Sequence, residues 1–273
     1  MLLPLIEKQF DSGEGLLSYV QGPSNGPPIL LLHGAASRWQ PFQSILPALA
    51  EKHQVFALDL RGHGRSSHTP EAYHIDDFSG DIQQFILQKV RAPVAIYGHS
   101  LGGLIAINLA ARHPESVCAV ILGDPPLYYH DTLIRDTFWL EAFQELLDFI
   151  NDHPTSVERE AWLVQNMPSM TPERRAERVR SLEGLDPQVL QAIIDDEQMK
   201  GVSLPALASR VTCPVLLLRG NPELGSALRE QDVEFALRDF SDIQVLEMES
   251  IGHGIVPIPL LPQVLAFLES IKT

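Results

Sequence analysis

Six short apolar runs, spaced by helical stretches, confine this 273-residue chain to one class of architecture. They occupy 29–32, 55–58, 94–97, 117–122, 215–218 and 243–246. Each is nearly continuous in Val, Ile, Leu or Ala instead of alternating with polar residues. That is the pattern of strands covered on both faces. Stretches at 41–53, 75–90, 101–113, 226–240 and 260–271 carry helical periodicity. Strands and helices in alternation at these lengths predict βαβ units, hence an α/β fold with a doubly wound, mostly parallel sheet. A segment around 15–20 predicts an added antiparallel strand.

The rhythm breaks between 125 and 209. No strand pattern occurs there, whereas 138–150, 155–165 and 171–182 read as amphipathic helices with capping signals before them. A long excursion between consecutive strands is expected to be structured, because long structureless loops are rare in compact domains. It follows the carboxyl end of a strand, where open α/β sheets bind ligands. The expected organisation is a core of 1–124 and 210–273 with a helical cap at 125–209. At this length a single core buries enough apolar surface without disulfides or metal.

The formal net charge of −15 argues against a nucleic-acid partner, since phosphate binding needs clustered Lys and Arg. Cys118 and Cys213 both lie in apolar runs and read as small buried hydrophobes. The opening MLLPLIEKQF is too short and too soon acidic for a secretory leader, and no apolar run reaches about 18 residues. The expectation is a cytoplasmic protein with a small-molecule substrate and no membrane partner.

The segment Val94-Ala-Ile-Tyr97-Gly98-His99-Ser100-Leu101-Gly102-Gly103 carries the strongest chemical signal. An apolar strand enters, Gly98-x-Ser100-x-Gly102 turns, and a small-residue helix leaves. The glycines answer a steric demand, because side chains there would strike the adjoining strand and helix. The turn lifts the Ser100 hydroxyl above the sheet as a nucleophile. It also aims the Leu101 N–H, at the positive end of the helix, at any anion formed there. The strand at 29–32 ends in His33-Gly34-Ala35-Ala36, whose backbone offers a second oxyanion donor, Ala35 first and Ala36 second. His33 itself reads as structural.

These features, with Asp59-Leu-Arg61-Gly62-His63-Gly64-Arg65-Ser66 and Ile251-Gly252-His253-Gly254, resemble the α/β-hydrolase fold family across nearly all of the chain outside the cap. The resemblance implies a nucleophile–acid–histidine chain order and a structural role for Asp59, Arg61 and His63. His253 is the general-base candidate: it follows an apolar strand, is flanked by glycines and precedes the last helix. His99, inside the serine turn, is expected to face away from the site.

The acid is where the sequence departs from the family pattern. After the 215–218 run the family places an Asp, but Arg219-Gly220-Asn221-Pro222-Glu223 contains none. Glu223 stands at plausible spacing. Asp124, directly after the 117–122 run and followed by two prolines, competes with it nearly evenly. Asp232 is a third, weaker candidate.

No H-E-x-x-H spacing and no strand-linked G-x-G-x-x-G occurs, so neither a metal nor a dinucleotide cofactor is expected. The resulting expectation is a serine hydrolase cleaving a small, fairly apolar ester or lactone through an acyl-enzyme. C–C bond hydrolysis, perhydrolysis or a ligand-binding receptor role stand as alternatives on the same fold.

Overall fold

A computed structural model of the chain describes residues 5–254 and 256–271. The first four residues of the N-terminal segment judged against a leader lie outside these. Eight strands form one sheet: β1 Ile6–Asp11, β2 Leu16–Gln21, β3 Pro28–Leu32, β4 Gln54–Leu58, β5 Val94–His99, β6 Val117–Gly123, β7 Val215–Gly220 and β8 Ile243–Met248. Their spatial order is β1-β2-β4-β3-β5-β6-β7-β8. The pairs from β4 to β8 are parallel, and β2 joins β4 antiparallel. All six apolar runs are strands, so the doubly wound α/β reading holds.

β1 was not foreseen. Its sequence IEKQFD is polar, and it exists as a strand because a turn at Ser12–Gly15 folds it against β2, pairing Ile6 with Gln21 and Asp11 with Leu16. Cross-strand pairing at an edge, not local preference, makes that strand.

Alternation along each strand divides the core in two. Leu30, Leu32, Phe56, Leu58, Ile96 and Leu122 face α2 (Ile75–Phe85) and α3 (Leu101–Arg112). Ile29, Leu31, Val55, Ala57, Tyr97 and Ile121 face α1 (Leu46–Leu49) and the C-terminal helix. The helix expected over 41–53 is two short pieces, a 3-10 turn at Gln40–Ser44 and then α1. Pro41 and Pro47 each stand at the opening of a piece, where a missing N–H costs nothing, and Pro47 cannot carry an i→i−4 bond across the junction.

Between β6 and β7 the regular structure is helical throughout: α4 Trp139–Asp152, α5 Ser156–Asn166, α6 Pro172–Glu183, α7 Pro187–Ile194 and α8 Leu204–Ala208, with short 3-10 turns before α4. The last two were not separated in the sequence reading, although Asp186 and Ser203 cap them and prolines follow. Beyond β7 lie α9 (Glu230–Asp239) and α10 (Leu261–Ser270). The expected 226–240 helix starts late because Ser226 and Ala227 bond elsewhere. Cys118 lies in β6, but Cys213 sits just before β7, not in a strand; both thiols are free and partly buried.

The loop after β4 is a polar frame. The Arg61 guanidinium donates to both oxygens of Asp81 at 2.6 and 2.8 Å, with both side chains 4% exposed. Asp59 accepts from the Trp39 and Arg65 backbone N–H groups. His33 is pinned between the Gly34 carbonyl (2.8 Å from Nδ1) and the Leu60 N–H (3.0 Å to Nε2), which fixes a neutral tautomer. Burial lowers the pKa of His33 well below its ordinary value, and that of His63 to about 4.

That burial predicts acid lability. Below pH 6.5 the unfolded chain protonates these rings and the native one does not, so each contributes stability that is lost as pH falls. For His63 the loss runs from about pH 6.5 to about 4, at up to ~1.4 kcal/mol per pH unit. Urea midpoints at pH 7, 6 and 5 should fall steadily, and His63→Gln should flatten the profile. A midpoint independent of pH over that range would rule out neutral burial.

Candidate active site

The turn after β5 is held by backbone contact. A Cβ on Gly98 would lie 2.2 Å from the Gly102 carbonyl oxygen, and one on Gly102 would lie 2.3 Å from that of Leu32. Only glycine fits either position. Ser100 between them has φ +52° and ψ −116°, a conformation costing roughly 1–3 kcal/mol. Bonds from the Ser100 N–H to the Gly123 carbonyl (3.0 Å) and from the Gly103 N–H to the Ser100 carbonyl (2.8 Å) hold it there. Strain maintained by a rigid sheet presents the hydroxyl at the carboxyl ends of the strands.

The β3 loop runs directly against this turn. A Cβ on Gly34 would lie 2.9 Å from both the Ser100 Cβ and the His99 ring, so Gly34 brings the backbone close to the serine. Ala35 and Leu101 line the same cavity as Ser100 and His253. As the first helical residue, Leu101 has an N–H with no acceptor inside α3. Ala36 is buried with φ +55° and is not part of that lining.

His253 reaches the cavity from the loop after β8, which is locked to the loop after β7. A Cβ on Gly220 would lie 2.2 Å from the Gly252 carbonyl oxygen. The Asn221 N–H donates to the Ile251 carbonyl, and its side-chain amide to that of Glu249, both at 2.7 Å. Asn221 therefore joins the two loops.

The structure brings Asp124, not Glu223, to His253. Asp124 Oδ2 lies 2.7 Å from His253 Nδ1, and Asp124 is 0% exposed. Its carboxylate also accepts from the Gly220 N–H (3.0 Å), the Ser226 hydroxyl (2.5 Å) and the Ala227 N–H (2.8 Å). A carboxylate only accepts, so Nδ1 carries the proton and the neutral ring keeps its lone pair on Nε2. Glu223 stands exposed in a 3-10 turn, its N–H bonded to the Asn221 side chain, because Asn221 caps that turn and directs it outward. Asp232 is buried but tied to Arg229, beside His130 and Asp131. The guanidinium of Arg229 already bonds both of those carboxylates.

His99 does not face away from the site. Its ring centroid lies 4.7 Å from that of His253, and neither ring nitrogen has a hydrogen-bond partner among the described residues. Burial, then the neighbouring His253, drives its pKa well below 6.5, so it packs as a neutral ring. The opposite expectation failed because strand alternation does not continue through so tight a turn.

The helical segment roofs the cavity. The Trp139 ring of α4 lies 4.9 Å from the His253 ring, centroid to centroid, and Phe143, Tyr128, Tyr129, Ile193 and Gln198 line the cavity with it, beside Pro126 and Ala227. Burial raises the pKa of both tyrosines, keeping their hydroxyls protonated. Gln198 escaped the sequence reading entirely, since a glutamine in a loop after α7 carries no local signal. The space open to a water-sized molecule is about 30 Å3, room for a water or two.

A model of the alpha/beta hydrolase fold matches residues 27–189, which include the serine turn and Asp124. The chain belongs to the α/β-hydrolase fold family. Among curated relatives of this hydrolase-fold chain, a serine hydrolase-like protein of Danio rerio is 36% identical over 111 residues, 40% of this chain and 34% of the relative. A 2-(acetamidomethylene)succinate hydrolase of Mesorhizobium japonicum is 31% identical over 119 residues, 44% of this chain and 42% of its own. The chain thus matches about a third to two fifths of the length of these relatives. The solved enol-lactonase of Burkholderia xenovorans superposes with a TM-score of 0.71 at 19% identity, over 96% of this chain and 100% of its own. No helix among the described residues is long and apolar enough to cross a membrane.

Proposed function

We propose that this protein is a serine hydrolase acting on small, fairly apolar carboxylic esters or lactones through an acyl-enzyme, with residues 125–209 as its cap. One observation carries the reading: the 2.7 Å bond from His253 Nδ1 to the buried Asp124, with His253 and Ser100 on one cavity. In that reaction the Ser100 Oγ attacks the carbonyl carbon while His253 Nε2 takes its proton. The Leu101 and Ala35 N–H groups stabilise the oxyanion. Collapse expels the alcohol, which receives the proton from His253. A water then repeats the attack on the acyl-serine and releases the acid. Asp124 orients His253 and stabilises its cation.

Relatives named as hydrolases and a fold shared with a lactonase support the class. The narrow roofed cavity and its aromatic walls support a small acyl group. The test is a panel of p-nitrophenyl esters and simple lactones. Acyl chains of about two to five carbons should turn over faster than chains of about eight or more, since the longer ones demand a wider opening of the roof. Tight binding of such molecules without turnover, and without labelling by a fluorophosphonate probe, would place the protein among the non-catalytic members of the fold.

A further inference from the structure

Two buried N–H donors on residues that line the cavity have no partner among the described residues. Gln198 is 3% exposed, and its Nε2 makes no hydrogen bond. Trp139 Nε1 is likewise buried and unpaired. Both residues line the cavity that holds Ser100 and His253. Buried donors are almost always satisfied, so two unsatisfied ones on residues of one cavity are an expense that stability does not explain.

The Gln198 backbone is anchored from both sides. Its N–H donates to the Ala192 carbonyl at the end of α7, and its own carbonyl accepts from the Ile75 N–H at the start of α2. Trp139 is braced against His253 and against Phe143, one turn along α4. The donors therefore sit on supported backbone, as pre-organised recognition groups do. Of the other polar groups of the wall, His253 is held through Nδ1 by Asp124, and the Ser100 hydroxyl is assigned to the reaction itself.

We infer that Gln198 and Trp139 recognise a neutral hydrogen-bond acceptor on the substrate, a ketone, ester or amide oxygen distinct from the scissile carbonyl. This rests on the serine-hydrolase reading above and adds a substrate class to it. The acceptor is neutral because no Lys or Arg is among the described lining residues, whereas the buried carboxylate of Asp124 lies just behind His253. A free carboxylate in that wall would lose its hydration and gain no countercharge. A ketone or amide oxygen loses little water and gains two donors.

The experiment compares kcat/KM for p-nitrophenyl pentanoate, its 3-oxo and 4-oxo analogues, and the glutarate half-ester. In the wild type, at least one oxo ester should exceed pentanoate by about tenfold or more, because a site built to bond an oxygen discriminates against an analogue lacking it. The glutarate half-ester should be the poorest of the four. In Gln198→Leu and in Trp139→Phe the oxo-to-pentanoate ratio should shrink about tenfold. A merely structural role would lower all four substrates together and leave the ratio intact, which overturns the inference. A wild type that prefers pentanoate or the glutarate half-ester overturns it as well, with no variant needed. Fluorophosphonate labelling of the wild type, lost in Ser100→Ala, is measured alongside. Labelling without oxo preference defeats this inference alone, and absence of labelling defeats the hydrolase reading and this inference with it.

Discussion

Ser100→Ala should lower kcat on the best ester by roughly 10⁵–10⁶-fold and abolish fluorophosphonate labelling. The loss should fall on kcat and not on KM, since the hydroxyl forms its new bond only as the reaction proceeds. A small residual rate above the uncatalysed one should persist, because the Leu101 and Ala35 amides and the cavity are left in place. Folding should be little affected. Alanine has the same Cβ in the same strained conformation at φ +52°, and the bonds that hold the turn, Ser100 N–H to the Gly123 carbonyl and Gly103 N–H to the Ser100 carbonyl, are backbone ones. Equal melting temperatures with equal activity would remove Ser100 from the chemistry.

The second large effect separates the two carboxylates that the sequence leaves in competition. Asp124→Asn should reduce kcat by about 10⁴-fold, because an amide in that place no longer enforces the Nδ1–H tautomer of His253. The substitution also carries a cost in stability. Asp124 accepts from four donors, and an asparagine offers one acceptor oxygen, so its NH₂ must face at least one of them. A loss of about 1–3 kcal/mol is expected from urea unfolding. Glu223→Gln should leave both rate and stability within about twofold, as an exposed turn residue does. Loss of turnover in Glu223→Gln with Asp124→Asn active would return the role to Glu223. Measuring kcat on variants shown to be folded keeps the two effects of Asp124→Asn apart.

Much of the molecule was legible from local pattern. The six apolar runs became β3 to β8 within one or two residues at their ends; five lie inside the sheet, where burial leaves few polar positions to confuse the signal, whereas β8 is an edge strand with exposed Gln244 and Glu247. The serine turn was legible for a harder reason: the glycine positions meet backbone at 2.2 and 2.3 Å, so the steric demand is written in the residue types themselves. What was missed came from partners distant in sequence. β1 is polar and becomes a strand only beside β2. The His99 ring swings toward His253 through a turn whose geometry breaks strand alternation.

The chain by itself determined the α/β architecture, the serine on its strained turn and the glycine-flanked His253, since each rests on spacing within a few residues. It left Glu223 and Asp124 level, because both follow a strand at a plausible distance. Only the tertiary structure separated them. Asp124 directly follows β6, which lies between the serine strand β5 and β7, and there the Gly220, Ser226 and Ala227 donors and His253 converge on one buried carboxylate. Glu223 is turned to solvent by the cap that Asn221 places on its turn. Which donors surround a carboxylate depends on how loops far apart in the chain meet across the sheet, and no spacing rule in the sequence records that.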